Sequence, residues 1–287
     1  MNTKMFSIIG GDYRNIKLAE LLSADGHEID MYGFENIKLP YNINKVNDIF
    51  TAVNKSKYII GPIPLSLDDI SVNAPFHTGE ISIKKIIEDI YPEKTIIAGK
   101  ISDKIMCMAE SGGVRIIDIL KREDMCVMNA IPTAEGALQI AMEETEKTIC
   151  NSKCLIIGYG RIGKTLSRLL MAVGAEVTCS ARKYEDIAWI EANGYRAVKS
   201  DDIENIIGSY DIIFNTVPAL VLNRNLLDKA NRESLIIDLA SSPGGTDFSY
   251  AESLGIQTKH ALSLPGIVAP VTAAEYIKKT IYNIIRE

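Results

Sequence analysis

Residues 153–182 constrain this chain more than any other stretch. Residues 154–157 are an apolar run suited to a buried parallel strand, and Gly158-Tyr159-Gly160-Arg161-Ile162-Gly163 follows at once. Ile162, Leu166, Leu169, Leu170 and Val173 then recur at helical spacing, Gly174 stops the helix, and residues 176–179 read as a second strand. Strand, glycine turn, helix and strand within about thirty residues is the pattern of a dinucleotide site. Gly158 allows the tight turn, Gly160 lets a pyrophosphate approach the backbone, and Gly163 lets the helix pack on the strand. The free N–H groups at the helix start meet the phosphates. Gly158, Tyr159, Gly160, Arg161, Ile162 and Gly163 are therefore cofactor-binding candidates.

The end of the second strand selects the dinucleotide. A site for NAD usually places Asp or Glu there to accept from the ribose 2′-OH. Here the positions read Ser180, Ala181, Arg182 and Lys183, with no carboxylate before Glu185. Arg182 is suited to pair a 2′-phosphate in bidentate fashion, with Ser180 donating and Lys183 adding charge. The expectation is NADP(H) over NAD(H); the alternative is that Arg182 and Lys183 form an ordinary solvated face.

A chain of 287 residues is long enough for two domains. The net charge of −6 comes without a basic stripe, which argues against nucleic acid. No apolar run approaches a membrane span, and the short N-terminal apolar stretch, followed at once by Asp12 and Arg14, reads as a first strand rather than a signal peptide. The expected location is cytoplasmic. The five cysteines have no metal-ligand spacing with partners and read as reduced, buried, inert thiols, so no metal is expected.

The first half also alternates. Residues 4–9 read as a strand, followed by Gly10-Gly11-Asp12 and a helix to about Ala24. Residues 27–31, 58–60, 95–98 and 114–117 read as strands, and 82–90 and 101–110 as helices. The expected fold is α/β, two Rossmann-like doubly wound parallel-sheet domains joined by a long helix. The expected divisions are residues 1–128, a linker helix over 129–150, the dinucleotide domain over 151–268, and a C-terminal helix in 269–287 packing back on the first domain. Pro132 suits the first turn of the linker helix, which places Thr133 at its N-terminus. Residues 62–80, with three prolines, read as a long loop near strand ends, either ligand-facing or merely mobile surface.

Three turns close later strands: Asn215-Thr216-Val217-Pro218, Asp238-Leu239-Ala240-Ser241-Ser242-Pro243-Gly244-Gly245, and residues 262–270. Thr216, Val217, Pro218 and Ala240, with Ser241, fall where a nicotinamide ribose and ring would lie. Asp238 either joins that site or caps local backbone N–H groups. Of the three histidines, His27 reads as surface, His77 lies in the long loop, and His260 lies near the expected crevice.

Gly10-Gly11-Asp12-Tyr13-Arg14, residues 129–136, the glycine motif, residues 238–248 and Leu264-Pro265-Gly266-Ile267-Val268-Ala269-Pro270 together resemble the dipicolinate synthase A-subunit family, across essentially the whole chain. The resemblance implies an NADP-dependent oxidoreductase of sporulating bacteria. It would form dipicolinate in the mother cell from a lysine-pathway dihydropyridine dicarboxylate, beside a flavoprotein-like B-subunit, and possible homo-oligomers fit the class. Aromatisation assists loss of the ring proton, so placement of two rings is the main task. The substrate's carboxylates need donors. The candidates are Gly10 and Gly11 N–H groups with Arg14, Thr133 at a helix start, and Ser241 with Ser242. Arg14 is alternatively a surface helix residue. His260, Ser241 and Thr133 are the catalytic candidates. Two other readings stay open: a dehydrogenase of another 2-hydroxy or 2-amino acid, and a non-catalytic NADP-binding scaffold for a partner.

Overall fold

The computed structural model describes residues 3–287; Met1 and Asn2, the start of the stretch read as leading into the first strand, lie outside the described residues. The chain divides into two compact units. One runs to Met128 and takes in Ala269–Glu287; the other is Asn129–Val268.

The first unit contains β1 (Met5–Ile9), α1 (Tyr13–Ala24), β2 (Glu28–Tyr32), β3 (Asn44–Lys45), α2 (Ile49–Asn54), β4 (Tyr58–Ile60), α3 (Ile83–Asp89), β5 (Thr95–Ala98), α4 (Asp103–Ser111) and β6 (Arg115–Asp118). These strands form a six-stranded sheet in the order β3-β2-β1-β4-β5-β6, with every pairing parallel. Ile8, Ile59, Ile60, Ile96 and Ile97 are buried on both faces, which is why these strands read as continuous apolar runs. Side-chain oxygens of Asp12, Ser82 and Ser102 accept from the first turns of α1, α3 and α4 and start those helices.

A long helix, α5 (Glu123–Glu144), follows. It starts well before Pro132, which lies inside it. Pro132 is therefore not a first-turn residue, and Thr133 is not at a helix N-terminus. Ala130, Ala134, Ala137 and Ala141 are all buried at helical spacing, and that packing carries the helix through the proline. The Thr133 hydroxyl donates to the Asn129 carbonyl at 2.7 Å.

The second unit contains β7 (Lys153–Ile157), α6 (Arg161–Ala172), β8 (Glu176–Ala181), α7 (Tyr184–Ala192), β9 (Arg196–Lys199), β10 (Ile212–Asn215), α8 (Arg224–Lys229), β11 (Leu235–Asp238), α9 (Phe248–Ser253), β12 (Gln257–His260) and α10 (Leu264–Val268). Its sheet is again six-stranded and parallel, in the order β12-β11-β10-β7-β8-β9. The last helix, α11 (Pro270–Arg286), belongs to the first unit, where Ala274, Ile277, Ile281 and Ile284 join the core of Phe6, Ile8, Leu18 and Leu22. Each isoleucine, leucine or phenylalanine buried there is worth roughly 1.5–3 kcal/mol.

Both sheets reverse direction once, at β1/β4 and at β7/β10. In open parallel sheets, ligands bind outside the carboxyl ends of the strands at such a reversal. Gly10-Gly11 follows β1, the glycine motif follows β7, and Thr216-Val217-Pro218 follows β10. Among the described residues, no helix is long and apolar enough to cross a membrane.

Candidate functional site

The notch after β7 is built by close backbone approach. A Cβ on Gly158, whose φ is +96°, would stand 2.6 Å from the Thr216 hydroxyl, and a Cβ on Gly163 would stand 2.2 Å from the Gly158 carbonyl oxygen. A Cβ on Gly160 would meet nothing within 4 Å, so that face of the turn is open. Gly160 caps α6 without any side-chain hydrogen bond, unlike Asp12 on α1. The first N–H groups of α6 and its dipole thus face outward at an open glycine turn, an anion-binding arrangement. These residues fit a dinucleotide pyrophosphate.

Several side chains in the motif point elsewhere. Tyr159 is buried, 6.5 Å from the Tyr195 ring, and burial pushes its hydroxyl up to about 12. Only its backbone borders the notch. Ser180 is fully buried inside β8, where its hydroxyl accepts from the Gly158 N–H at 3.3 Å. It tightens the glycine turn and does not stand at the strand tip, because the strand runs one residue further, to Ala181.

Arg182 and Lys183 do stand at that tip, exposed. Lys183 lies 3.2 Å from Glu185, a surface pair worth little. Lys199 joins them: it pairs opposite Ala181 in the β8–β9 register, and its ammonium donates to the Arg182 carbonyl at 2.5 Å and sits 3.9 Å from the Tyr184 ring centroid. Sequence reasoning missed Lys199. The only signal was its place at the end of a strand adjacent to the tip, which needs the strand order.

The turns after β10 and β11 are held by one buried pair. Asn215 and Asp238 are both fully buried, and the amide of Asn215 donates to Asp238 at 3.1 Å. Asp238 also accepts from the N–H groups of Ala240 (2.9 Å) and Gly245 (2.8 Å) and from the Thr246 hydroxyl (2.6 Å). It has no exposed face for a cofactor: Asp238 caps local backbone. The Ala240 N–H is spent on Asp238, and its carbonyl lies 3.0 Å from His260 Nε2. His260 also stacks on Phe248 at 5.0 Å. With Nε2 at the Ala240 carbonyl and one ring face on Phe248, His260 buttresses the turn.

The Thr216 hydroxyl donates to the Ile157 carbonyl at 2.9 Å, and the Val217 N–H to Asn215 at 3.1 Å, so both shape the notch from inside. Pro218, Ser241 and Ser242 are exposed, and the two serine hydroxyls make no hydrogen bond among the described residues.

In the first unit, the expected carboxylate donors are already committed. The Gly10 N–H donates to Tyr32 and the Gly11 N–H to Asn73, each at 2.9 Å. Arg14 is neither a surface residue nor free. It is buried, paired with Asp12 at 2.7 Å, and donates to the Ile63 carbonyl at 2.5 Å. Lys100, at the end of β5, is exposed with φ +52°, a left-handed conformation uncommon outside glycine. Asp118 holds it there by accepting from the Lys100 and Ile101 N–H groups at 3.0 Å.

The segment 62–80 is ordered structure. Leu65 N–H bonds Gly99, Asn73 N–H bonds Leu65, and Asn36 N–H bonds Phe76, so it crosses the ends of β5, β4, β1 and β2. His27 is buried against Phe6 and Tyr282, not on the surface. Cys154 and Cys179 are buried, with burial pushing both thiols up to about 12, but Cys107 and Cys150 are exposed.

Comparison with known proteins places these observations. Residues 5–120 match the family model described as the N-terminal domain of the dipicolinate synthase A-subunit. Residues 129–237 match that of the D-isomer specific 2-hydroxyacid dehydrogenase NAD binding domain. The chain is 31% identical to the dipicolinate synthase A-subunit of Bacillus subtilis (strain 168), over 98% of this chain and 95% of that protein. The crystal structure of the corresponding protein from Bacillus halodurans superposes with a TM-score of 0.93 at 30% identity, covering 100% of this chain and 99% of that one. A transhydrogenase from Sinorhizobium meliloti shares the fold, with a TM-score of 0.72 at 13% identity, over 98% of this chain and 92% of that one.

Proposed function

Since the chain belongs to the dipicolinate synthase A-subunit family, we propose that it oxidises a dihydrodipicolinate-type intermediate to dipicolinate, with NADP as hydride acceptor. One observation carries the choice of cofactor. The open, uncapped start of α6 lies in the same unit as a β8 tip that bears Arg182 and Lys183, with Lys199 at the adjoining end of β9 and no carboxylate before Glu185. A 2′-phosphate there meets a planar guanidinium and ammonium groups, whereas a bare 2′-OH finds no acceptor carboxylate.

The bound dinucleotide supplies the oxidant, taking a hydride at its nicotinamide ring. The chain's own residues do the rest. Gly158, Gly160 and Gly163 open the turn to the pyrophosphate, with the backbone of Arg161 and Ile162 opening α6. Thr216, Val217 and Pro218 set the wall after β10. The Asn215–Asp238 pair fixes the turn that presents Ser241 and Ser242, whose exposed hydroxyls are the donors left for a substrate carboxylate.

We assign the activity to the mother-cell cytoplasm of a sporulating bacterium, where its partner is the flavoprotein-like B-subunit. The test follows pyridine-product absorbance and NADPH formation from a dihydropyridine dicarboxylate, using the chain alone and with that partner. Product under either condition supports the reading; none under both leaves a scaffold. Ser241→Ala should raise KM for the diacid several-fold with little change in kcat, as loss of one binding hydrogen bond of about 1 kcal/mol would.

A further inference from the structure

Tyr184 opens α7 directly after the β8 tip, and it is 79% exposed. One face of its ring is occupied: the Lys199 ammonium stands 3.9 Å from the centroid. Other lysine–ring contacts are looser, at 5.5 Å for Lys164 on Tyr159 and 5.9 Å for Lys278 on Tyr282. The same ammonium donates to the Arg182 carbonyl at 2.5 Å. β9 ends at Lys199, opposite Ala181, the last residue of β8, so the sheet fixes where the lysine stem begins. Every residue of this arrangement lies in the second unit.

The charges around the tip differ in how far they are spent. Lys183 faces Glu185 at 3.2 Å, and Asp186 follows in the same first turn of α7. Lys199 makes no ion pair among the described residues: a carbonyl and a ring face hold it, and neither neutralises it. The Arg182 guanidinium has no partner among the described residues. A lysine side chain is among the costliest to order, because its stem is long and flexible. A ring face attracts an ammonium through its quadrupole without lending it a negative charge. The ring therefore orders the Lys199 ammonium and leaves its charge for an anion. A carboxylate in the same place would order it and cancel it.

We propose that Tyr184 is a specificity-determining positioning residue: its ring holds the Lys199 ammonium beside the Arg182 backbone, set for the 2′-phosphate of the dinucleotide. This rests on the reading of the second unit as an NADP site. Lys199 meets the phosphate, and Tyr184 acts through Lys199. NAD carries a bare hydroxyl at that position and gains nothing from the ordered ammonium. The ring face does this work and the phenol hydroxyl has no share in it.

Calorimetry on the full chain reads Kd for NADP and for NAD in each variant. Tyr184→Leu should weaken NADP about three- to tenfold, the range between an exposed and a partly desolvated cation–ring contact, with NAD binding and the urea midpoint unmoved. Tyr184→Phe should keep both wild-type Kd values, because the ring face remains. Tyr184→Leu combined with Lys199→Ala should bind NADP no more weakly than Lys199→Ala alone, since the two side chains act as one unit. Independently of any dinucleotide, acetic anhydride labelling of the unliganded chain, read by peptide mass against its other lysines, should modify Lys199 faster in Tyr184→Leu than in the wild type or in Tyr184→Phe. A Tyr184→Leu variant with the wild-type ratio of NADP to NAD affinity, equal losses for both dinucleotides, or a Tyr184→Phe variant as weak as Tyr184→Leu overturns the proposal. A wild type with no preference for NADP overturns the parent reading instead, and the labelling then decides whether the ring holds the ammonium.

Discussion

The position that a Cβ on Gly163 would take lies 2.2 Å from the carbonyl oxygen of Gly158, so α6 and the end of β7 are in direct backbone contact. The outer wall of the same turn, at Gly160, is open. Two glycines three residues apart therefore do different work: one joins helix to strand, and the other leaves room for a ligand.

Gly163→Ala should destabilise the second unit and remove dinucleotide binding together, because backbone must move to admit the methyl group. Gly160→Ala should unfold at the wild-type urea midpoint yet bind NADP about tenfold or more weaker, a loss of about 1.4 kcal/mol. Urea denaturation paired with calorimetry separates the two variants.

Arg182→Ala should weaken NADP binding by roughly 10–100-fold, the worth of a charge-assisted hydrogen bond of about 1.5–3 kcal/mol, and leave NAD binding almost unchanged. Lys199→Ala should show a smaller effect in the same sense, since its ammonium is shared with the Arg182 carbonyl and the Tyr184 ring. Dissociation constants for both dinucleotides check this.

Asp238→Ala should cost about 3 kcal/mol or more in stability of the second unit. It leaves buried donors on Asn215, Ala240, Gly245 and Thr246 without their acceptor. The readout is the urea midpoint, and loss of Ser241-dependent substrate binding should accompany it.

The first unit should lose stability as pH falls below about 6.5. Burial lowers His27 from its ordinary value of 6.5, with Lys4 and Lys278 adding to burial and Asp25 opposing it. The unfolded chain then binds more protons than the folded one, so stability rises with pH and is fully present above the unfolded value. Protonation also breaks the bond in which Nδ1 accepts from the Lys4 N–H at 3.2 Å. Thermal unfolding at pH 7 and pH 5 should show the drop, and His27→Asn should flatten it.

Much of the fold was legible because buried parallel strands announce themselves as apolar runs: residues 58–60 and 95–98 match β4 and β5 to the residue. The two-residue β3 and the six-residue α2 carry too little pattern to be read. The start of α5 was hidden by Pro132, whose usual place at a first turn was overridden by the buried alanine face around it. In the site, the glycine turn was legible because it rests on backbone conformation. Side-chain direction was not: Ser180, Tyr159 and Asp238 sit in the right segment, but burial turns each one inward.

The central claim is that the notch between β7 and α6 holds a phosphorylated nicotinamide dinucleotide. Titration calorimetry of the purified chain with NADP and with NAD tests it most directly. The account predicts one site per chain, occupied at least about tenfold more tightly by NADP, a difference of about 1.4 kcal/mol. Tighter binding of NAD would contradict the cofactor assignment, and no heat with either would contradict the claim itself.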